Sequence, residues 1–238
     1  MDRPSDAPDN RPSLLLAVDT SGPACQAVVA EGTTVLAGRS QPMLRGHGEA
    51  LIPMVEAVLA DAGVEYEALD RLGTTIGPGS FTGIRVGLSA ARSFAATLNL
   101  PLVPIGTLEA LALSDALETG LSAPRAVALD ARNDQVYGQR FSAEGKALDE
   151  PASMADLVFV ASIERNSRLI GSAQPVLAAL ARASNKPVTL GLAEPVPRLA
   201  ALAQLTAEGT PVAHPSPLYL KPVDAVAAKP SGLRASAV

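Results

Sequence analysis

Tryptophan is absent from the 238-residue sequence, and the other aromatic residues are scarce, with four phenylalanines and three tyrosines. Apolar residues nevertheless make up 47% of the chain, so an aliphatic core of leucine, valine, isoleucine and alanine is expected. Few rings also disfavour a pocket that stacks nucleobases or sugars on aromatic side chains.

Cysteine and histidine are nearly missing as well. Cys25 is the single cysteine, and His47 and His214 are the only histidines. One cysteine excludes an intrachain disulfide and a multi-cysteine metal site, and two histidines exclude a His-rich metal centre. Neither histidine belongs to a triad-like or metal-binding motif. We therefore predict no metal site and no catalytic residues.

The sequence also lacks runs of positive charge. Its net charge is −5, and its 19 lysines and arginines are scattered, so strong direct binding to RNA is not expected. No apolar stretch is long enough to span a bilayer. The polar start, with acidic residues and prolines, does not resemble a signal peptide. These features predict a cytoplasmic protein without a membrane partner.

Strand and helix patterns alternate along the chain, which predicts an α/β fold with mixed sheets flanked by helices. Both halves begin with an apolar strand that ends in an aspartate, Asp19 or Asp130, followed by a hairpin. This recurrence suggests two related lobes. The predicted division is a disordered lead-in at residues 1–12, a first lobe at 13–106, a second lobe at 107–222 and a flexible tail at 223–238.

Two loops of the first half have features of phosphate-binding turns. The glycine-rich run at residues 77–83 follows a strand and opens a helix, where free N–H groups attract anions. At the end of the first strand, residues 19–21 carry one carboxylate and two hydroxyl groups. Ordinary tight turns explain both loops equally well, and the second half has Ala131 and Arg132 where a phosphate hairpin would need glycines. The candidate cofactor-binding residues are Asp19, Thr20, Gly77, Gly79 and Ser80.

Two predicted helices of the first half, at residues 47–62 and 82–98, suggest an interface. The first is apolar around most of its circumference, and its own sheet should cover only one side. The second carries a strip of glycine and alanine that allows close approach of another backbone. Packing on the chain's own sheet is the alternative for that strip. The candidate interface residues are His47, Leu51, Met54, Val55, Val58, Gly83, Arg85 and Gly87.

The run GPGSFTGIRVGLS at residues 77–89 closely resembles the signature of the TsaB (YeaZ) family, often labelled glycoprotease-like. Four other runs are also similar to that family: LAVDTS at 16–21, the stretch from His47 through LIPM at 51–54, DAR at 130–132 followed by VY at 136–137, and PLYLK at 217–221. The resemblance extends over residues 14–222.

This resemblance implies a two-lobed, actin-like fold of the sugar kinase, Hsp70 and actin class. It implies a non-catalytic scaffold and activator that pairs with a TsaD-like catalytic subunit through the two first-lobe helices and acts with a TsaE-like ATPase. The complex would transfer threonylcarbamoyl to the adenosine beside the tRNA anticodon, with tRNA bound only through the complex.

No cofactor is expected in the isolated chain. ATP or ADP at the partner interface, and a homodimer of the isolated chain, stay open. The alternative hypothesis is an independent enzyme, either an ATP-dependent small-molecule kinase or a peptidase.

Overall fold

The computed structural model describes residues 13–220, so the predicted lead-in at 1–12 and tail at 223–238 lie outside the described residues. The strands are β1 Leu14–Asp19, β2 Ala24–Glu31, β3 Thr34–Pro42, β4 Arg71–Gly77, β5 Leu102–Gly106, β6 Arg125–Asp130, β7 Gln135–Phe141, β8 Ala152–Ala155, β9 Arg168–Ile170 and β10 Thr189–Leu190. The α-helices are α1 His47–Ala62, α2 Phe81–Leu98, α3 Thr107–Thr119, α4 Asp156–Ser162, α5 Gln174–Ala183 and α6 Leu199–Glu208.

The strands form two mixed five-stranded sheets with the same topology. In the first sheet the strand order is β3-β2-β1-β4-β5. The neighbouring pairs β3–β2 and β2–β1 are antiparallel, and the pairs β1–β4 and β4–β5 are parallel. In the second, β8-β7-β6-β9-β10 repeats this order, and β6 pairs antiparallel to β7 and parallel to β9. The repeat confirms the predicted two-lobed α/β fold with mixed sheets flanked by helices.

Each side of the first sheet is covered by helices. Alternate side chains of β1 and β2 point to opposite faces, because side-chain direction in a strand has a period of two. Leu16, Val18 and Cys25 pack with α1 and α2, whereas Leu15 and Ala17 pack with α6 and α3. Burial on both faces explains why β1 is a continuous apolar run.

Helix α6 corrects the predicted domain division. The sequence interpretation placed it in the second lobe, but it packs against β1 to β5 of the first sheet. The chain then stays on the first lobe: the Val212 amide donates to the Leu102 carbonyl and the Leu218 amide to the Ile76 carbonyl. The first lobe thus includes residues from both ends of the described chain.

Within residues 13–220, none of the helices combines the length and the hydropathy that crossing a membrane requires.

Candidate functional site

The turn after β1 is fixed by hydrogen bonds inside the protein. Asp19 is 1% exposed, and its Oδ1 accepts from the Ser21 amide at 2.8 Å, the Ser21 hydroxyl at 2.6 Å and the Thr75 hydroxyl at 2.5 Å. The buried Thr20 hydroxyl donates to the Gly83 carbonyl at 2.7 Å. The Thr20 hydroxyl and Asp19 Oδ1 are therefore engaged in joining β1 to α2 and β4.

The glycine-rich loop packs directly on that turn. The Ser80 amide donates to the Ser21 carbonyl at 2.7 Å, and the Ser80 hydroxyl caps α2 by accepting from the Gly83 amide at 3.2 Å. A Cβ at Gly79 would overlap the Ser21 carbonyl oxygen. Gly77 has φ +114°, a conformation that favours glycine. Close approach of two backbones explains these glycines without a ligand.

A cleft of about 950 Å³ lies between the two lobes. Of the five candidate cofactor-binding residues, Gly79 and Ser80 line it, and Asp19, Thr20 and Gly77 do not. Three of the seven aromatic residues of the chain, Phe81, Tyr137 and Tyr219, also line it. Nearly half of the few rings of this sequence thus lie at the cleft, which composition alone could not show.

Beside the cleft, an arginine packs against two aromatic rings that line it. The Arg85 guanidinium lies 4.0 Å from the centre of the Phe81 ring, and its Nε donates to the Tyr219 hydroxyl at 2.9 Å. The Phe81 and Tyr219 ring centres are 5.0 Å apart, and both side chains are 38% exposed. Tyr219 belongs to the PLYLK run, the one sequence signal that pointed to it.

On the second-lobe side of the cleft, the turn between β6 and β7 has a left-handed backbone without glycine. Arg132, Asn133 and Asp134 have φ values of 65°, 53° and 54°. The Arg132 amide donates to the Asp130 carboxylate at 2.8 Å, and the Ala131 amide to the Gln135 carbonyl at 2.8 Å. The turn keeps the conformation that glycines would favour, but side chains occupy the space where glycines would leave the backbone open.

The structure contradicts most of the predicted interface on α1. Leu51, Met54, Val55 and Val58 are between 0% and 7% exposed and belong to the core of the first lobe. The prediction assumed that one sheet could cover only one side of the helix. In fact α1 packs against β2 and β3 and also against α2, so two neighbours together bury its apolar residues.

His47 is not part of that core. It is 8% exposed, it lies at the start of α1 beside the cleft, and its Nε2 is 3.2 Å from the Gly22 carbonyl oxygen. Its place in an interface stays a prediction.

The glycine strip of α2 also packs inside the chain. A Cβ at Gly83 would overlap the Thr20 carbonyl oxygen, and one at Gly87 would lie 2.6 Å from Thr20 Oγ1. Both glycines are therefore wrong as partner contacts, because they let α2 approach the end of β1. Arg85 is the one predicted interface residue with an exposed side chain.

A buried ionic cluster around Asp115 was not predicted. Asp115 on α3 is paired with Arg125 of β6 at 3.1 Å and with Arg168 of β9 at 2.7 Å. Burial alone would raise the pKa of Asp115. The hydrogen bond and charge of Arg168, together with the charge of Arg125, outweigh the effect of burial. The pKa of Asp115 therefore lies below its usual value. Arg168 lies 53 positions from Asp115, and no local motif marks the three residues.

Among the residues that the structure describes, no group of three or more histidine, cysteine, aspartate or glutamate side chains is placed to hold a metal ion.

Comparisons with known proteins decide the family. The family model described as "TsaD: tRNA N6-adenosine threonylcarbamoyltransferase" matches residues 41–221, more than half of the chain. The chain belongs to the TsaD family. Within that family its similarity to TsaB (YeaZ) proteins confirms the predicted resemblance.

Curated relatives include proteins of two kinds. TsaB of Haemophilus influenzae, a tRNA threonylcarbamoyladenosine biosynthesis protein, is 36% identical over 126 residues, which are 52% of this chain and 51% of that protein. A tRNA N6-adenosine threonylcarbamoyltransferase of Erythrobacter litoralis is 44% identical over 86 residues, 36% of this chain and 25% of that protein. The match to the TsaB protein thus spans about half the length of each chain.

The solved structure of YeaZ from Pseudomonas aeruginosa superposes over more of the chain. Its TM-score is 0.75 at 28% identity, covering 87% of this chain and 100% of that one. The two lobes described above therefore have a counterpart along the whole length of a YeaZ structure.

Proposed function

We propose that this chain is a non-catalytic subunit of a complex that makes threonylcarbamoyladenosine in tRNA, and that it activates a TsaD-like catalytic subunit by binding to it. The observation that carries the proposal is the joint similarity to TsaB and to threonylcarbamoyltransferases. A TsaE-like ATPase acts with this complex in the cytoplasm.

The hydrogen bonding of the first turn supports a non-catalytic role. An actin-like ATPase needs hydroxyls and a carboxylate that are free to meet phosphate and Mg²⁺. Here the Thr20 hydroxyl donates to the Gly83 carbonyl, and Asp19 Oδ1 accepts three hydrogen bonds from within the chain. We therefore expect no ATP or ADP on the isolated chain, and a nucleotide only where the partner completes a site.

The alternative is an ATP-dependent kinase, which the large cleft favours. Calorimetric titration of the isolated chain with Mg-ADP separates the two functions. No heat of binding is expected from a scaffold subunit. Saturable binding that is lost when Arg132, the cation lining the described cleft, is changed to serine would favour the kinase.

The partner surface is revised to the exposed side chains of α1 and α2. Ile52, 41% exposed, and Glu56 lie on α1, and Arg85 and Ser89 lie on α2. The two helices contact each other, and we propose that their exposed side chains form one partner surface. An exposed isoleucine and an exposed arginine could supply the apolar and arginine contacts that are common in protein interfaces. A homodimer of the isolated chain, which the sequence leaves open, would use the same surface if it forms.

The test is a calorimetric titration of the TsaD-like partner with Ile52→Asp. Because Ile52 is exposed, the variant should melt like the unchanged protein but bind the partner at least about tenfold more weakly, since an unpaired charge in an interface is costly. Leu157→Asp on α4 is the matched control, because Leu157 is 64% exposed and lies in the second lobe. Equal affinity of both variants for the partner would exclude this surface.

Transfer RNA is proposed to contact the complex mainly through other subunits. The net charge of −5 gives this chain little attraction for phosphates. A gel-shift titration of the isolated chain with tRNA should show no complex at physiological salt, whereas the assembled subunits should bind.

A further inference from the structure

Helices α1 and α2 carry charges of opposite sign. Helix α1 contains Glu49, Glu56 and Asp61 and no lysine or arginine. Helix α2 contains Arg85 and Arg92 and no aspartate or glutamate. All five side chains are exposed, and the two helices contact each other. The surface proposed above for the partner is therefore acidic on α1 and basic on α2.

The two arginines lie on the same face of α2. They are seven residues apart, which is two helical turns and about 10 Å along the axis. Neither forms an ion pair with any residue between 13 and 220. Five other arginines in that range are each paired with a carboxylate: Arg39, Arg125, Arg140, Arg168 and Arg198. Two positive charges on α2 are thus left without a counter-charge by the described chain.

Neutral groups hold both guanidinium groups in place. Arg85 stacks on the Phe81 ring and donates from its Nε to the Tyr219 hydroxyl at 2.9 Å. Arg92 donates from one terminal nitrogen to the Pro215 carbonyl. A guanidinium has five N–H groups, so most of those on each arginine are unused within residues 13–220. Because these contacts already order the two side chains, they lose little conformational freedom when a ligand binds.

Burial of this face dictates what a partner must supply. A charge that is buried in an interface without a counter-charge is costly, so a protein that covers Arg85 and Arg92 has to bring anionic groups. A carboxylate suits a guanidinium because it accepts two parallel N–H bonds. The Phe81 and Tyr219 rings, each 38% exposed, add apolar area beside Arg85, which favours a protein surface over a phosphate backbone.

We propose that α2 receives two carboxylates of the partner protein, one on Arg85 and one on Arg92. The proposal rests on the proposed function, in which this surface binds a TsaD-like subunit. The opposite charges of the two helices then orient that subunit, because its acidic side chains lie over α2 and not over α1.

The test is a calorimetric titration of the TsaD-like subunit with variants of the full chain. Arg85→Gln and Arg92→Gln should each weaken binding about tenfold. Arg165→Gln is the matched control, since it changes the net charge equally at an exposed site of the second lobe, and it should bind normally. Equal affinities of the Arg85→Gln, Arg92→Gln and Arg165→Gln variants would overturn the proposal.

Charge reversal separates a facing carboxylate from simple packing. Arg85→Gln and Arg85→Glu both lose the contacts with Phe81 and Tyr219, but only Arg85→Glu places a negative charge against the partner's carboxylate. Arg85→Glu should therefore bind about tenfold more weakly than Arg85→Gln. A thermal scan of both variants should show that they are folded. Equal binding by the two would mean that no carboxylate faces Arg85, and the proposal would be wrong.

The same titration distinguishes this proposal from the proposed function. If the unchanged chain does not bind the TsaD-like subunit, both are overturned. If it binds, and Ile52→Asp weakens binding while Arg85→Gln and Arg92→Gln do not, only the carboxylate proposal is overturned.

Two other occupants of the arginines are outcomes of further variants. Asp224→Asn tests the chain's own carboxylate nearest to Tyr219 in sequence after it. It should leave partner affinity unchanged, and an increase of about tenfold would mean that Asp224 occupies the arginines instead. Phosphates of tRNA are the second. If Arg85→Gln binds the partner normally but the assembled complex loses tRNA in a gel shift, the arginines bind nucleic acid and the carboxylate proposal is wrong.

Discussion

Replacing Asp115 with alanine should be among the most destabilising single changes in this protein. Asp115 neutralises two arginines, and the Arg125 side chain is 0% exposed. Removing one member of a buried ion pair leaves an unpaired buried charge, at a cost of about 3–5 kcal/mol. For a chain of this size, about 1 kcal/mol lowers the melting temperature by about 2–4 °C. We therefore expect a decrease on the order of 10 °C.

Differential scanning calorimetry of the isolated chain at neutral pH measures this change. The matched control is Glu118→Ala, which breaks the Arg198–Glu118 pair, whose side chains are 48% and 47% exposed. An exposed pair contributes less than about 1 kcal/mol, so this control should melt within about 3 °C of the unchanged protein. Equal melting temperatures for Asp115→Ala and Glu118→Ala would refute the reasoning.

Lowering the pH should remove the stability that ionised Asp115 contributes to the folded protein. The pKa of Asp115 is lowered in the folded protein because its arginine partners outweigh the effect of burial. A carboxylate with a lowered pKa stabilises the fold above its unfolded pKa of about 3.9, and that stability is lost as pH falls through the folded value. The difference in stability between the unchanged protein and Asp115→Asn should therefore narrow below about pH 4.

Three further predictions follow from burial. Val55→Asp should unfold the isolated chain or lower its free energy of unfolding by more than about 3 kcal/mol, because Val55 is 0% exposed. In the same thermal scan Ile52→Asp should melt like the unchanged protein, because Ile52 is exposed. Gly87→Leu should cost the isolated chain about 1–3 kcal/mol of stability and so lower its melting temperature, because a Cβ at Gly87 would lie 2.6 Å from Thr20 Oγ1. An unchanged melting temperature would return the glycine strip to the partner surface. Burial raises the pKa of Cys25 to about 11. A thiol reagent at pH 8 should therefore label Cys25 only after urea unfolds the chain. Rapid labelling of the native protein would contradict the place of Cys25 in the core.

Local patterns predicted most of the secondary structure. The helix expected at residues 47–62 begins and ends at those residues, with the left-handed Gly63 ending it as a C-cap. The two apolar strands expected to end at Asp19 and Asp130 are also observed. Apolar periodicity and glycine stops are local signals, so sequence alone was sufficient there.

Short and partly buried elements were missed. Strand β8 has four residues and β10 has two, and helix α4 has only seven. Such elements are too short for a clear hydrophobic period, and their positions depend on neighbouring strands.

The surroundings of individual side chains were the hardest feature to predict from the sequence. An apolar helix such as α1 looks the same in sequence whether a partner or a second helix of its own chain covers it. Likewise, the glycines of α2 indicated a close approach but not which backbone approaches. The Asp115 cluster joins residues that are up to 53 positions apart, so only the folded chain brings it together.

Reconstitution of threonylcarbamoyl transfer with purified subunits tests the central claim most directly. The chain alone should transfer nothing to tRNA, the TsaD-like partner alone should be slow, and adding this chain should restore turnover. Ile52→Asp should abolish that stimulation, and Leu157→Asp should preserve it. Robust transfer by this chain in a preparation free of partner subunits, abolished by a single substitution in its own cleft, would contradict a non-catalytic role.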